Sequence, residues 1–184
     1  MSKRKLVGDA ITLDRIALAH PILREKLKEQ YLYVNNYILG KGVRLRFAWV
    51  YRSPEDQNKM YAKGRSKPGR KVTKAKAWQS IHQYALAFDI VLLLDTDGNG
   101  TFEKASWDVE ADYDGDLIAD WKEVVDYFKA TGDYEWGGDW NSPDEPHFQL
   151  KGYHWRKLKP LLDNGKVIKE GKMIYPDLCY YPHS

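Results

Sequence analysis

Apolar positions in the first part of the chain recur at helical spacing. Leu13, Ile16, Ala17, Ala19, Ile22, Leu23, Leu27 and Leu32 fall mostly three or four residues apart, which predicts helix over 11–39. Pro21 suits a first helical turn, so a second helix is expected to begin there. Gly40 and Gly42 stop it. The period then changes: Val43, Leu45, Phe47 and Trp49 alternate with other residues, and 43–51 reads as a strand. Ser53 before Pro54 has the form of an N-cap, with a helix to about Ala62 and a stop at Gly64. Residues 65–79 read as loop. Ala85 to Leu94 is an apolar run broken by Asp89, as in a strand buried on both faces. Trp121 to Ala130 predicts a helix ending at Gly132. Tyr134 to Leu150 reads as a loop running into a short strand, and Tyr153 to Leu162 as all or part of a last helix. These elements predict one α+β domain over 1–184, with an acidic, glycine-bearing insertion at 95–120.

Composition narrows the picture. A chain of 184 residues suits one compact domain. With 43% hydrophobic and 30% charged residues it is expected to be soluble and globular. The 7 Trp and 13 Tyr supply core area and, where exposed, groove linings. The net charge of +3 is too mild to imply nucleic acid. The densest basic run, Lys63 to Lys76, carries Gly64, Pro68 and Gly69 and reads as a solvated loop. The single cysteine, Cys179, excludes an internal disulfide and a cysteine-rich zinc site; beside Leu178, Tyr180 and Tyr181 it is expected to be packed. Met1 to Leu6 is basic with no apolar run after it, so neither a signal peptide nor a membrane span is expected. The expectation is a monomer made as a soluble cytoplasmic protein. If it acts on cell wall, another component must deliver it.

Two segments carry candidate metal chemistry. The first runs from Ser80 and His82 to Asp89; the second is Asp144-Glu145-Pro146-His147-Phe148. A catalytic zinc takes three protein ligands of His and Asp or Glu type and keeps a position open for water. Asp89 inside an apolar run costs free energy unless it is paired, hydrogen-bonded or metal-bound. An edge strand with Asp89 facing solvent is the alternative. Asp144, three residues before His147, is the kind of acid a hydrolase needs beside an activated water.

Together these residues resemble the zinc peptidases that include D-alanyl-D-alanine carboxypeptidases and dipeptidases and the L-alanyl-D-glutamate endopeptidases of phage lysis. The pattern is Ser80-x-His82, Asp89 seven residues on, and Asp144-x-x-His147. Tyr51-Arg52-Ser53 with Gln57 and Tyr61-Ala62-Lys63-Gly64-Arg65 is similar to the family's substrate-side arginine segment. Glu135-Trp136-Gly137-Gly138-Asp139-Trp140 and His20-Pro21-Ile22-Leu23 are similar to the endopeptidase branch. The resemblance covers roughly residues 11–150. It implies a small antiparallel sheet flanked by helices, of the Hedgehog/DD-peptidase kind. It implies zinc on His82, Asp89 and His147, with Asp144 as general base and later acid. Arg52 would polarise the scissile carbonyl, and Ser80 would support the site from behind its ligands. Ala85 stands where the family usually has glycine, a change expected to be tolerated.

The resemblance implies hydrolysis of the L-alanyl-D-glutamate bond in peptidoglycan stem peptides, as in an endolysin. The alternatives are a D-alanyl-D-alanine carboxypeptidase or dipeptidase, and a non-catalytic wall-binding module of the same fold. In the insertion, Asp95, Asp97 and Asn99 with Gly100 look like the first half of an EF-hand-type calcium loop, whose twelfth position is Ser106 rather than Glu. A second acidic run, Asp112 to Asp116 with Asp120, is able to supply missing ligands or hold a second ion. A solvated acidic turn is the plainer reading of the whole insertion.

Overall fold

The computed structural model describes residues 8–183; the basic segment Met1–Leu6 lies outside the described residues. Helices α1 (Ala10–Ala17) and α2 (Pro21–Tyr33) come first, and a π-helical stretch, Val34–Ile38, extends α2. Pro21 opens α2 as expected. Strand β1 (Val43–Trp49) leads through Ser53 into α3 (Pro54–Ala62). The Ser53 side chain accepts from the Asp56 amide, so the cap read from sequence forms. A 3-10 turn, Ile81–Tyr84, precedes β2 (Ala87–Leu94). The insertion adds a short strand, β3 (Lys104–Ser106), before α4 (Asp120–Ala130). Then come β4 (Tyr134–Trp136), β5 (His147–Leu150) and α5 (Trp155–Asp163). A hairpin of β6 (Val167–Glu170) and β7 (Met173–Pro176) closes the chain. No helix among the described residues is long and apolar enough to cross a membrane.

The main sheet is antiparallel, in the order β1-β2-β5-β4, with β3 also paired to β2. Because β2 is flanked by β1 on one side and by β5 and β3 on the other, Asp89 lies on an interior strand. The edge-strand alternative is excluded.

Strand periodicity explains why an aspartate interrupts an apolar run. Side chains alternate faces, so Phe88, Ile90, Leu92 and Leu94 point one way and Asp89 the other. The first set joins Ile16, Leu23, Leu27 and Tyr31 of α1 and α2, and Trp121, Val124 and Phe128 of α4, in the main core. Phe88 stacks on Phe148 of β5 with centroids 5.2 Å apart and planes 7° from parallel. Each such buried ring contributes about 1.5–3 kcal/mol of burial. The strand that carries Asp89 is thereby fixed from behind by a rigid aromatic layer.

A smaller core joins Ile81, Tyr84, Leu86 and Ala87 to Leu158 and Leu161 of α5 and to Leu178 and Tyr181 near the end of the chain. The C-terminal segment thus packs on the domain. His20 ties it down: its Nε2–H donates to the Pro176 carbonyl at 2.8 Å while its Nδ1 accepts from the Ile22 amide. Burial lowers the pKa of His20 and favours this neutral form. The expectation of a packed Cys179 is wrong. The last 3-10 turn, Leu178–Tyr180, points Leu178 inward and leaves Cys179 exposed.

Candidate metal centre

Three chain segments converge on the face of the sheet opposite the main core. β2 brings Asp89, and β5 places His147 directly across from it in register. The 3-10 turn brings His82, which is almost wholly buried at 1% exposure. His82 Nε2 lies 2.9 Å from Asp89 Oδ1 and 3.2 Å from His147 Nδ1, and His147 Nδ1 lies 3.1 Å from Asp89 Oδ1.

The proton inventory shows what this triangle is suited to hold. His82 Nδ1 sits 2.9 Å from the Val50 carbonyl, which only accepts, so Nδ1 carries the proton and Nε2 presents a lone pair. His147 Nε2 sits 3.2 Å from Gln149 Oε1, and the Gln149 amide nitrogen donates to Glu135 at 3.2 Å. That chain assigns the proton to His147 Nε2 and leaves Nδ1 as a second lone pair. Asp89 Oδ1 is the third acceptor. Three acceptors facing one another repel unless a cation lies between them, and two imidazoles with a carboxylate suit zinc in kind. A proton is the metal-free substitute. Burial works against charge on His147, but the hydrogen bond and charge of Asp89 outweigh it and raise its pKa. On His82 burial wins and the pKa falls. Asp89 is held well below the usual carboxylate range because His82 and His147 outweigh its burial.

The other oxygen of Asp89 is also held. Arg52, 6% exposed, donates from Nη2 to Asp89 Oδ2 at 2.8 Å and from Nη1 to Gln57 Oε1 at 3.2 Å. Gln83 donates to the same Gln57 oxygen at 3.3 Å. Arg52 therefore spends its guanidinium on orienting a carboxylate, a use the sequence reading did not anticipate. Ser80 caps the turn that carries His82: its Oγ accepts from the His82 amide at 3.4 Å, while Gln83 Oε1 accepts from the Ser80 amide at 3.1 Å. Ala85 ends the turn with φ at 58°, in the left-handed region where glycine is unstrained. This is the position at which the family pattern has glycine.

Asp144 reaches the site through a loop shaped by Trp136, Gly137 and Gly138. A β-carbon on Gly137 would strike the Asp144 carbonyl, and one on Gly138 would strike the Trp136 ring. The Trp136 indole donates to the Glu145 carbonyl at 2.8 Å, and the Asp144 amide donates to the Gly137 carbonyl at 3.0 Å. The residue has an exposed side, yet its carboxyl lies in the fields of Asp89, His147, His82 and Arg52. Burial on the inner side, then the charge of Asp89, push its pKa up. Trp140, 37% exposed, lies with its ring centroid 5.1 Å from that of His147 and flanks the opening.

Gln149 and Gln83 were not singled out in the sequence, and the supporting contacts of Glu135 and Gln57 were not expected from it. Gln149 was accessible in principle, because it lies two residues from His147 on a strand and so shares its face. Gln57 entered only as part of the arginine segment, and Gln83 carries no such signal. In the insertion, Asp95, Asp97 and Glu103 bring carboxylate oxygens within 4.8 Å of one another. Glu103 stands beside them where the sequence reading had named Asn99, and Asn99 instead donates to Asp97 at 2.7 Å.

Comparison with known proteins identifies the family. A sequence profile described as D-alanyl-D-alanine carboxypeptidase, of the M15 peptidases, matches residues 73–150, which include His82, Asp89, Asp144 and His147. The peptidoglycan L-alanyl-D-glutamate endopeptidase CwlK of Bacillus subtilis (strain 168) is 35% identical over 132 residues, covering 71% of this chain and 72% of that protein. The crystal structure of the Serratia marcescens L-Ala D-Glu endopeptidase ChiX aligns with 82% of this chain and 94% of that one, at 23% identity and a TM-score of 0.49. On the strength of the Bacillus relative and the profile, the chain belongs to the M15 family of peptidases.

Proposed function

We propose that the chain is a zinc peptidase that hydrolyses the L-alanyl-D-glutamate bond of peptidoglycan stem peptides, with His82, Asp89 and His147 as the metal ligands. The observation that carries this reading is the convergence of three lone pairs, with the two imidazole protons assigned elsewhere, to Val50 and Gln149. The name of the Bacillus relative supports the choice of bond. Zinc, when bound, supplies Lewis acidity and makes water nucleophilic at neutral pH. Asp144 takes the proton of the attacking water and returns it to the leaving amine. Arg52 fixes Asp89 and contributes positive charge toward the developing oxyanion. Ser80 and Gln149 hold the two histidines in orientation. Trp140 flanks the peptide.

Peptidoglycan stem peptides are the partner this reading requires. Digestion of purified peptidoglycan tests the choice of bond. New amino groups on D-glutamate are expected. Release of D-alanine without them would instead establish a D-alanyl-D-alanine carboxypeptidase, the activity named by the matching profile. A non-catalytic module of the same fold requires no hydrolysis at all. A calcium ion on Asp95, Asp97 and Asn99 has less behind it, because only Asp95 Oδ1 is buried without a partner there, while Asp97 and Glu103 are exposed and accept hydrogen bonds from Asn99 and Thr96.

A further inference from the structure

A second set of carboxylates in the insertion takes no part in the peptidase site. Asp112, Asp114, Asp116, Asp120 and Glu123 fall at positions 1, 3, 5, 9 and 12 of one twelve-residue stretch. This is the spacing at which EF-hand-type loops place side-chain ligands, including the glutamate at position 12 that the Asp95 loop lacks. The fold draws them together. Oxygens of Asp112, Asp114 and Asp116 lie within 4.8 Å of one another, as do those of Asp114, Asp120 and Glu123. Asp114 belongs to both groups, so the five form one continuous acidic basin.

Exposed acidic clusters are common and are screened by water, but this one reaches into the protein. Asp120 is fully buried, at 0% exposure. Its Oδ2 accepts from the Tyr113 amide at 2.6 Å, while its Oδ1 is buried with no hydrogen-bond partner. Asp114 Oδ1 and Glu123 Oε2 are buried and unpartnered as well. Among the described residues, none of the Lys or Arg ion pairs involves any of the five. Buried carboxylate oxygens without donors are costly, and the cost is removed by a cation that coordinates them. Burial and the neighbouring acids push Asp120 up to about 6 and Glu123 up to about 7.

The donors are all oxygen, which selects a hard cation over zinc or copper. Five carboxylates on a loop suit the higher and more flexible coordination of calcium better than the strict octahedron of magnesium. Leu117, at position 6 of the stretch, adopts a φ of 76°, the turn for which such loops use glycine. We propose that Asp112, Asp114, Asp116, Asp120 and Glu123 bind one calcium-class divalent cation, separate from the zinc centre and from the Asp95 loop. The ion would tie three parts of the chain together. Asp114 Oδ2 also accepts from the Gly40 amide at 2.6 Å, in the turn before β1. Asp120 and Glu123 open α4, which packs Trp121, Val124 and Phe128 against the sheet.

The test is calorimetric titration of chelator-stripped, zinc-reloaded full-length protein with calcium chloride, paired with thermal melts. The expected result is one saturable binding event that Asp120→Asn and Glu123→Gln each weaken at least tenfold and Asp97→Asn leaves in place. Calcium should raise the melting temperature of the wild type and not of the two basin variants. Without calcium, Asp120→Asn should melt no lower than the wild type, which separates lost binding from lost folding. No binding at several millimolar calcium would overturn the proposal. So would unchanged affinity in Glu123→Gln, or a response abolished by Asp97→Asn instead. None of these readouts depends on peptidase activity, so failure of the zinc reading would leave this result standing, and the reverse.

Discussion

Replacing Gln149 by Leu removes the acceptor that fixes the proton of His147. In the folded protein His147 Nε2–H donates to Gln149 Oε1 at 3.2 Å, and Glu135 anchors the Gln149 amide. Leucine leaves that N–H without a partner beside a nine-tenths-buried ring, at a cost of about 1–3 kcal/mol. The proton is then free to move to Nδ1, the atom that must offer a lone pair to the metal. Loss of such a partner typically weakens metal binding about 10–100-fold, or about 1.4–2.8 kcal/mol at 1.4 kcal/mol per tenfold. The hydrogen bond is neutral and long, so the lower end, about tenfold, is the expectation. Zinc affinity is read by competition with a chromophoric chelator, with circular dichroism confirming the fold. Gln149→Glu keeps an acceptor for that N–H but loses the donor to Glu135 and sets two carboxylates together, so it should recover only part of the wild-type affinity. Equal zinc affinity in Gln149→Leu and wild type would refute the tautomer assignment and with it the role given to Gln149.

Other expectations follow from single contacts. Ala85→Gly relieves a left-handed alanine and should raise stability by about 0.5–1 kcal/mol, read as a shift in denaturant midpoint at constant slope. Gly137→Ala pushes a methyl into the Asp144 carbonyl and toward the His147 β-carbon. It should cost about 1–3 kcal/mol of stability and lower kcat, and wild-type kcat would exclude a shaped Asp144 loop. His20 has a folded pKa below its unfolded value, so the unfolded chain binds more protons as pH falls through about 6.5. Its contribution is complete well above that pH and is lost below it. Wild type should therefore lose more stability than His20→Gln between pH 7 and pH 5, in urea titrations at each pH. Parallel pH profiles would rule out the buried neutral His20.

Much of the fold was legible because periodicity and caps agree with the packing. Pro21, Ser53 and the alternation of β1 each mark an element that forms where it was expected. The hairpin β6–β7 was not legible. Its four-residue strands mix exposed Lys169, Glu170 and Ile174 with buried Tyr175 and Pro176, so no alternation distinguishes them from loop. β3 is three residues long and exists only by pairing back on β2 across the acidic loop 95–103, which carries no strand pattern of its own. At the site, the residues that recur in the family pattern were legible, and their supports were not. The Val50 carbonyl has no side-chain signature at all, and Arg52 reads as a free cation until its pairing with Asp89 is seen. Ala85 shows the two levels meeting. The departure from glycine was visible in the sequence, and its left-handed φ explains why glycine belongs there. The loop 112–123 was read only as far as Asp120, because leucine at its sixth position conceals the spacing that Glu123 completes.

Metal content and wall hydrolysis measured together on His147→Ala and Asp144→Ala test the metal centre most directly. Wild type should bind one zinc per chain at the peptidase site and release peptides with D-glutamate amino termini. Asp144→Ala should keep the zinc and lose hydrolysis by at least about 100-fold, the low end for a general base. His147→Ala should lose both. Full zinc content with undiminished hydrolysis in His147→Ala would contradict the assignment of His82, Asp89 and His147 as the metal centre.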